Sequence, residues 1–160
     1  RWRVMLNAGY VRKHYQDQRM AARYDSGMPL AGATLLYTAP KNWLFYGGAD
    51  WSHDITKEAE QASVRKGVRL GMVKFFSDGL GLRANLRYTR RTFDAPGELV
   101  YRFIRKDREY QAGASVWHEK LSWKGLVPRL NLQYLKVDSN MSSFYSRRNM
   151  QWFVSVEKQF

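Results

Sequence analysis

The fold is decided by residues 122–160, which read SWKGLVPRLNLQYLKVDSNMSSFYSRRNMQWFVSVEKQF. Every second residue is apolar in two runs of this stretch, residues 128–134 and 152–156. Successive side chains of a strand point to opposite faces, so each run predicts a strand with one apolar and one polar face. The chain ends on Phe160, and we expect such an aromatic end on a strand that closes a barrel at a membrane interface.

The same alternation recurs in six earlier stretches of the chain. They cover residues 2–13, 30–39, 43–52, 64–75, 80–89 and 109–117. Together with the last two runs, they predict an all-β fold of eight antiparallel strands.

The connections predicted between these strands alternate in length. The long ones lie near residues 14–28, 53–63, 91–108 and 138–149, and the short ones near residues 40–42, 77–79 and 118–125. Outer-membrane barrels join their strands by long extracellular loops and short periplasmic turns. The pattern therefore predicts an antiparallel up-and-down transmembrane β-barrel in the bacterial outer membrane.

Aromatic residues lie near both ends of the predicted strands. Tryptophan and tyrosine are enriched where a membrane protein crosses the two membrane interfaces. The expected periplasmic rim contains Tyr37, Trp43, Phe75 and Phe160. The expected outer rim contains Tyr10, Trp51, Tyr88, Tyr134 and Trp152.

The composition fits one domain of 160 residues with a formal net charge of +13 and no cysteine. No run of about 18 apolar residues is present, so we expect no membrane-spanning helix. Nucleic-acid-binding proteins gather their basic residues into one patch, whereas the arginines here recur singly at alternate positions. We therefore expect no nucleic acid as a partner, and expect outer-membrane lipids and lipopolysaccharide phosphates instead.

Six arginines fall on the polar sides of the predicted strands. They are Arg3, Arg65, Arg69, Arg83, Arg87 and Arg129. One interpretation is a lumen whose charge is neutralised by Asp50, Glu109 and Glu157. The other is a positively charged wall that guides an unfolded client protein.

The sequence offers no catalytic, cofactor or metal site. His53 lies between Ser52 and Asp54, but adjacent strand residues point in alternating directions and cannot all converge as a catalytic triad requires. No metal-ligand spacing is present. The Gly79–Gly81 turn leads into a strand rather than into the helix that a phosphate-binding loop requires. We expect a protein that is not an enzyme and takes no cofactor.

Two alternatives remain open at this point. Alternating strands also build soluble sandwiches and lipid-binding barrels, in which the apolar face points inward. A self-contained eight-stranded outer-membrane protein is also compatible, either structural and adhesive or a lipid A-modifying enzyme.

Residues 123–160 resemble the C-terminal end of the surface lipoprotein assembly modulators, the Slam family. The matching features are Trp123-Lys124-Gly125 with Pro128 opening a strand, Asp138-Ser139-Asn140, Phe144-Tyr145-Ser146 and the terminal Phe160. The resemblance implies an outer-membrane barrel that the barrel-assembly machinery inserts. It also implies a role in bringing client lipoproteins, or related secreted proteins that capture haem or iron carriers, to the cell surface.

The chain departs from that family in two respects. Its members carry a periplasmic helical-repeat domain ahead of a barrel larger than eight strands, and neither feature is found here. An eight-stranded barrel is filled by its own side chains and leaves no channel. We therefore expect residues 1–160 to form a single barrel domain or the C-terminal part of one, unable to translocate a client alone.

Overall fold

A computed structural model describes residues 1–97 and 102–158 of the chain. Its eight strands are β1 (Trp2–Lys13), β2 (Ser26–Ala39), β3 (Trp43–Thr56), β4 (Ser63–Phe75), β5 (Leu80–Phe93), β6 (Lys106–His118), β7 (Leu126–Ser139) and β8 (Arg147–Lys158). They form one sheet in chain order, with every strand antiparallel to its neighbours. The predicted all-β, up-and-down antiparallel fold is confirmed.

The strands reach further toward the long connections than the alternation predicted. β3 continues to Thr56, β5 to Phe93, and β6 already begins at Lys106. Most residues of these strand tips are polar on both faces, so the regular apolar alternation stops although the pairing continues, as between Arg91 and Asp107. The connection between β3 and β4, residues 57–62, is therefore no longer than residues 119–125. The predicted alternation of connection lengths holds only in part.

The connections lie at two ends of the sheet. The turn end carries residues 40–42, 76–79 and 119–125, and the loop end carries residues 14–25, 57–62, 94–97, 102–105 and 140–146. At the turn end, Lys41 and Asn42 adopt left-handed conformations, with φ of 58° and 59°, that reverse the chain tightly between β2 and β3. A 3-10 turn at Glu119–Leu121 precedes β7.

The loop end contains two short helices, α1 (Gln18–Tyr24) and α2 (Ser142–Tyr145). Asp17 begins α1 as its N-cap, because its carboxylate accepts hydrogen bonds from the backbone N–H groups of Arg19 and Met20. None of the helices in the described part of the chain has the length and hydrophobicity to cross a membrane.

The two outermost strands each have one unpaired edge. β1 pairs with β2, β8 pairs with β7, and within residues 1–97 and 102–158 no pairing joins β1 to β8. Every residue of β1 is exposed. The sheet is therefore not closed on itself.

The register keeps apolar and polar residues on separate faces of the sheet. One register row of the apolar face runs through Leu6, Ala33, Ala49, Val68, Tyr88, Tyr110, Lys136 and Arg148. The neighbouring row of the polar face runs through Asn7, Gly32, Asp50, Gly67, Thr89, Glu109, Val137 and Arg147. These rows define the two faces.

The buried side chains lie on the polar face. Trp117 is 4% exposed and Val127 is 1% exposed, and both belong to that face. Soluble barrels and sandwiches bury their apolar face instead. The arrangement observed here is the opposite of that alternative.

Candidate functional site: the two faces of the sheet

The apolar face presents large hydrophobic side chains outward. Leu6 is 79% exposed, Leu70 63% and Trp152 75%. Soluble monomers rarely expose contiguous apolar patches beyond a few hundred square ångströms, and larger ones mark contacts with membranes or other proteins. This face is therefore built to contact an apolar environment.

Four of the predicted interface aromatics follow a diagonal across the apolar face. Trp51 on β3 lies opposite Lys66, and Tyr88 on β5 lies two register positions nearer the turn end. Tyr134 on β7 and Trp152 on β8 each lie two further positions nearer the turn end. In barrels the strands are tilted against the membrane, so residues at one depth shift in register from strand to strand. The diagonal has the form expected of residues at a single depth.

Two of the aromatic residues predicted for the periplasmic rim, Trp43 and Phe75, lie on opposite faces of the sheet. Trp43 lies on the apolar face at the turn end, where its ring stacks on Phe45 with centroids 5.4 Å apart. The prediction for Phe75 is wrong about its face: it lies opposite Gly81 on the polar face and packs edge-on against Trp117. The alternation of β4 places its even-numbered residues outward, so Phe75 points inward. Phe160 lies outside the described residues.

All six predicted arginines lie on the polar face. Arg69 and Arg87 face each other directly across β4 and β5, and Arg65 faces Arg91 nearer the loop end. Arg3 lies on the outermost strand β1. Like charges directly opposite each other destabilise a sheet, so the central arginines require partners.

Two carboxylates and one hydroxyl supply partners to three of the arginines. Arg87 Nη2 donates to Asp50 Oδ2 at 2.7 Å, and Arg69 Nη2 donates to Thr34 Oγ1 at 2.7 Å. Arg129 forms an ion pair with Glu157, and its guanidinium lies 4.3 Å from the centre of the Trp117 ring. Asp50 and Glu157 thus each pair with one of the six arginines.

The remaining predicted charges lack such ion pairs. Glu109 lies opposite Thr89 and Val137, and within the described residues no cation pairs with its carboxylate. Arg3 and Arg83 are exposed and have no ion-pair partner in the same part of the chain. Within the described residues, the centre of the polar face therefore contains one ion pair, Arg87 with Asp50, while Arg69, Arg3 and Arg83 have no carboxylate partner.

Glycines on the polar face leave room for large side chains from the neighbouring strand. A Cβ on Gly71 would lie 2.2 Å from Tyr46 Cζ, and a Cβ on Gly81 would lie 2.0 Å from Trp117 Cε2. Gly71 lies directly opposite Tyr46, and Gly81 lies directly opposite Trp117. Sequence reasoning assigned no function to these glycines. A glycine opposite a large side chain in the register is the signal that could have revealed it.

At the loop end, one ion pair joins strands β1 and β3, and another joins α1 to the connection between β3 and β4. Lys13 Nζ lies 2.8 Å from Asp54 Oδ2, and Arg23 Nε lies 3.2 Å from Glu58 Oε1. In the first loop, the pKa of the Asp25 carboxyl lies below its usual value, chiefly because the Tyr15 backbone N–H donates a hydrogen bond to it. These contacts therefore join the first loop to the connection between β3 and β4, and β1 to β3.

The histidine considered for catalysis takes part in the same loop-end network. His53 Nε2 lies 2.8 Å from Asp94 Oδ2, whereas Ser52 and Asp54 belong to the opposite face. Asp54 pairs with Lys13 instead. Across residues 1–97 and 102–158, no three His, Asp or Glu side chains gather as a metal site would require.

Comparison with known proteins decides the family. The profile of the surface lipoprotein assembly modifier family matches residues 1–160. The chain belongs to this family. The resemblance seen at the C-terminal residues is thereby confirmed, and it extends over the whole sequence.

Individual relatives agree with that assignment. Surface lipoprotein assembly modifier 1 of Haemophilus influenzae is 30% identical over 160 residues, which is 100% of this chain and 32% of the relative. Surface lipoprotein assembly modifier 2 of Neisseria meningitidis is 26% identical over 169 residues, covering 99% of this chain and 33% of the relative. The hemophilin secretion modulator of Acinetobacter baumannii is 32% identical over 117 residues, covering 72% and 23%.

The chain spans about a third of the length of the curated relatives that it matches over its full extent. No solved structure matches it.

Proposed function

We propose that this chain is a section of an outer-membrane β-barrel that helps lipoproteins or related secreted proteins reach the cell surface. The observation that carries the proposal is a family match over residues 1–160, on a sheet whose exposed face is apolar and whose buried residues lie on its polar face. Relatives in this family are named for surface lipoprotein assembly and for hemophilin secretion. The client of this chain belongs to one of these classes.

The unpaired edges of β1 and β8 support a barrel larger than eight strands. Backbone N–H and C=O groups within a bilayer must be paired, so an exposed sheet edge is not tolerated there. We propose that further strands of the same polypeptide pair with both edges. The relatives are about three times as long as this chain and have the length to supply them.

The polar face is proposed to line the passage of this larger barrel. Ion pairs such as that between Arg87 and Asp50 stiffen the wall. The exposed guanidinium groups of Arg3 and Arg83 supply positive charge that attracts acidic segments of an unfolded client.

We also propose that the chain acts without catalysis, and that its partners besides the client are outer-membrane lipids, lipopolysaccharide and, during insertion, the barrel-assembly machinery. The separation of Ser52 from His53 on opposite faces supports the first proposal. The spread of arginines over several strands, rather than in one patch, argues against nucleic acid.

Surface display of a client lipoprotein tests the proposal. The gene of the full-length protein is deleted, and an epitope-tagged client is probed on intact cells with protease and antibody. We expect the client to become inaccessible while its total amount is unchanged, and we expect the full-length protein to restore access. Unchanged display in the deletion strain contradicts the proposed function. Restoration by residues 1–160 alone contradicts the larger barrel and favours a self-contained protein.

A further inference from the structure

Basic residues follow aromatic ones on the apolar face, always on the side of the loop end. On four strands the basic residue comes two positions nearer the loops than the aromatic one, and therefore shares its face. The pairs are Tyr10 with Arg12, Tyr88 with Arg90, Tyr110 with Arg108, and Tyr134 with Lys136. Sequence analysis identified Tyr10, Tyr88 and Tyr134 but not their basic neighbours, since the two members of each pair occur in opposite order along alternate strands.

The register brings two of these cations, Arg90 and Arg108, side by side with a third basic residue of the same face, Lys66. Lys66 lies opposite both Trp51 and Arg90, and Arg90 lies opposite Arg108. Neighbouring strands are about 4.8 Å apart, so the three Cα atoms span on the order of 10 Å. We call Lys66, Arg90 and Arg108 the cation row.

The protein itself does not neutralise the cation row. All three side chains are exposed, and within the described residues none forms an ion pair. Asp138 lies opposite Arg108 in the register, but its Oδ2 is 2.7 Å from Lys136 Nζ. Like charges placed side by side on a sheet repel one another, so an anion bound between them would remove that repulsion.

An apolar groove leads from the cation row toward the centre of the sheet. Small Ala31 and Ala49 form part of its floor, Val68 lies along it, and the rings of Trp51 and Tyr88 flank it. Lys66 and Arg90 line the same groove. A ligand that fits both parts has an anionic head and an acyl chain.

We propose that the cation row and this groove bind one phosphorylated glycolipid of the outer leaflet, with its phosphates on Lys66, Arg90 and Arg108 and an acyl chain beside Val68. Arginine recognises phosphate oxygens through its planar fork of N–H donors, and lysine adds a compact charge. The inference rests on the proposed outer-membrane location. It adds to it a defined lipid site and the chemistry that the site selects.

The adjoining apolar groove favours a lipid over a free anion as the ligand of the cation row. A free phosphate would use the three cations but would leave the adjoining groove empty. A phosphoglycolipid occupies both, and the aromatic rings at the boundary suit the zone between headgroup and acyl chain.

The test uses the full-length protein in detergent and compares two triple variants. The first replaces the cation row by K66Q, R90Q and R108Q. The matched control removes the same charge from the turn end by K41Q, K120Q and K124Q, which the structure places at the far end of the strands. Far-UV circular dichroism establishes that both variants keep their β-structure, and R90K serves as a milder variant if the first does not fold.

Binding is measured by native mass spectrometry with purified bis-phosphorylated lipid A and with the same lipid after its phosphates are removed. We expect the cation-row variant to lose at least about tenfold in affinity for the phosphorylated lipid, and the control to stay within about twofold. We expect dephosphorylated lipid to bind the wild type as weakly as the phosphorylated lipid binds the cation-row variant. Inorganic pyrophosphate at equal concentration should not displace the bound lipid.

Three outcomes overturn the inference. They are equal binding by both triple variants, equal binding of the two lipids, and displacement by pyrophosphate, which would indicate a site for a free anion. If the full-length protein fractionates with the outer membrane and displays its client while any of these holds, only the lipid site fails. If it fractionates elsewhere, the proposed function fails as well.

Discussion

The two faces of this sheet are stabilised in different ways. On the apolar face, side chains such as Leu70 and Leu86 are more than half exposed, and we expect other apolar residues to substitute for them. On the polar face, Asp50 holds Arg87, and Gly71 makes room for Tyr46. The difference teaches that the apolar face requires a chemical class of residue, whereas the polar face requires particular residues in particular register positions.

Reversing the polarity of the apolar face should have the largest effect. Leu86→Arg places a charge near the middle of the apolar face, and we expect a loss of about 2–4 kcal/mol in the free energy of unfolding, as for arginine on the lipid face of membrane barrels. The measurement is denaturant unfolding of the full-length protein in lipid vesicles.

Arg83→Leu is the matched control on the polar face. Its side chain is exposed and has no ion-pair partner among the described residues, so we expect less than about 0.5 kcal/mol. Similar losses in the two variants would mean that the faces do not differ in their surroundings.

Adding one methyl group should distinguish the faces at the level of packing. Gly71→Ala places a Cβ 2.2 Å from Tyr46 Cζ, and we expect a loss of about 1–3 kcal/mol from overpacking. In Gly47→Ala, on the apolar face, the nearest atom is the flexible Leu70 Cδ2 at 3.1 Å, so the loss should be much smaller. Equal losses would show that Tyr46 moves away at little cost.

Breaking the ion pair at the centre of the polar face should have a smaller effect. Asp50→Asn leaves Arg87 without its charged partner, and we expect a loss of about 1 kcal/mol, since both side chains keep part of their solvent exposure. A double-mutant cycle with Arg87→Gln measures the coupling. Strict additivity of the two single losses would contradict a stabilising pair.

The smallest effect should be confined to the first loop, away from both faces. The pKa of Asp25 is lowered in the folded protein, so its stabilising contribution is present above the ordinary value of 3.8 and is lost as the pH falls through the lowered pKa. We expect proteolysis of residues 14–25 to accelerate in that acid range in the wild type. In Asp25→Asn it should be fast and nearly independent of pH, while the strands remain resistant in both.

The alternation of apolar and polar residues was enough to predict which residues of each strand share a face of the sheet. Every apolar run, such as residues 128–134, lies on one face in the structure because a period of two leaves no other choice. Alternation could not predict the strand tips near Thr56 and Lys106, where the regular apolar pattern stops and backbone pairing continues. It also misplaced Phe75, because an aromatic residue near a strand end fits either an interface rim or an inner cluster.

The candidate site was predictable only in outline. The six arginines were found on the polar face, but the pairing of Arg69 with Thr34 depends on the register across two strands. The cation row arises in the same way, since Lys66, Arg90 and Arg108 are far apart in sequence and meet only when the strands are aligned.

The most direct test of the central claim, that the apolar face contacts lipid and the polar face does not, compares two adjacent residues of β5. Spin labels are attached to Asn85→Cys and to Leu86→Cys in a cysteine-free background of the full-length protein in vesicles. Collision with oxygen, which concentrates in lipid, and with a water-soluble nickel complex is then measured. The structure predicts high oxygen and low nickel accessibility at residue 86, with the reverse at residue 85. High oxygen accessibility at residue 85 with nickel access at residue 86 would contradict the assignment of the faces.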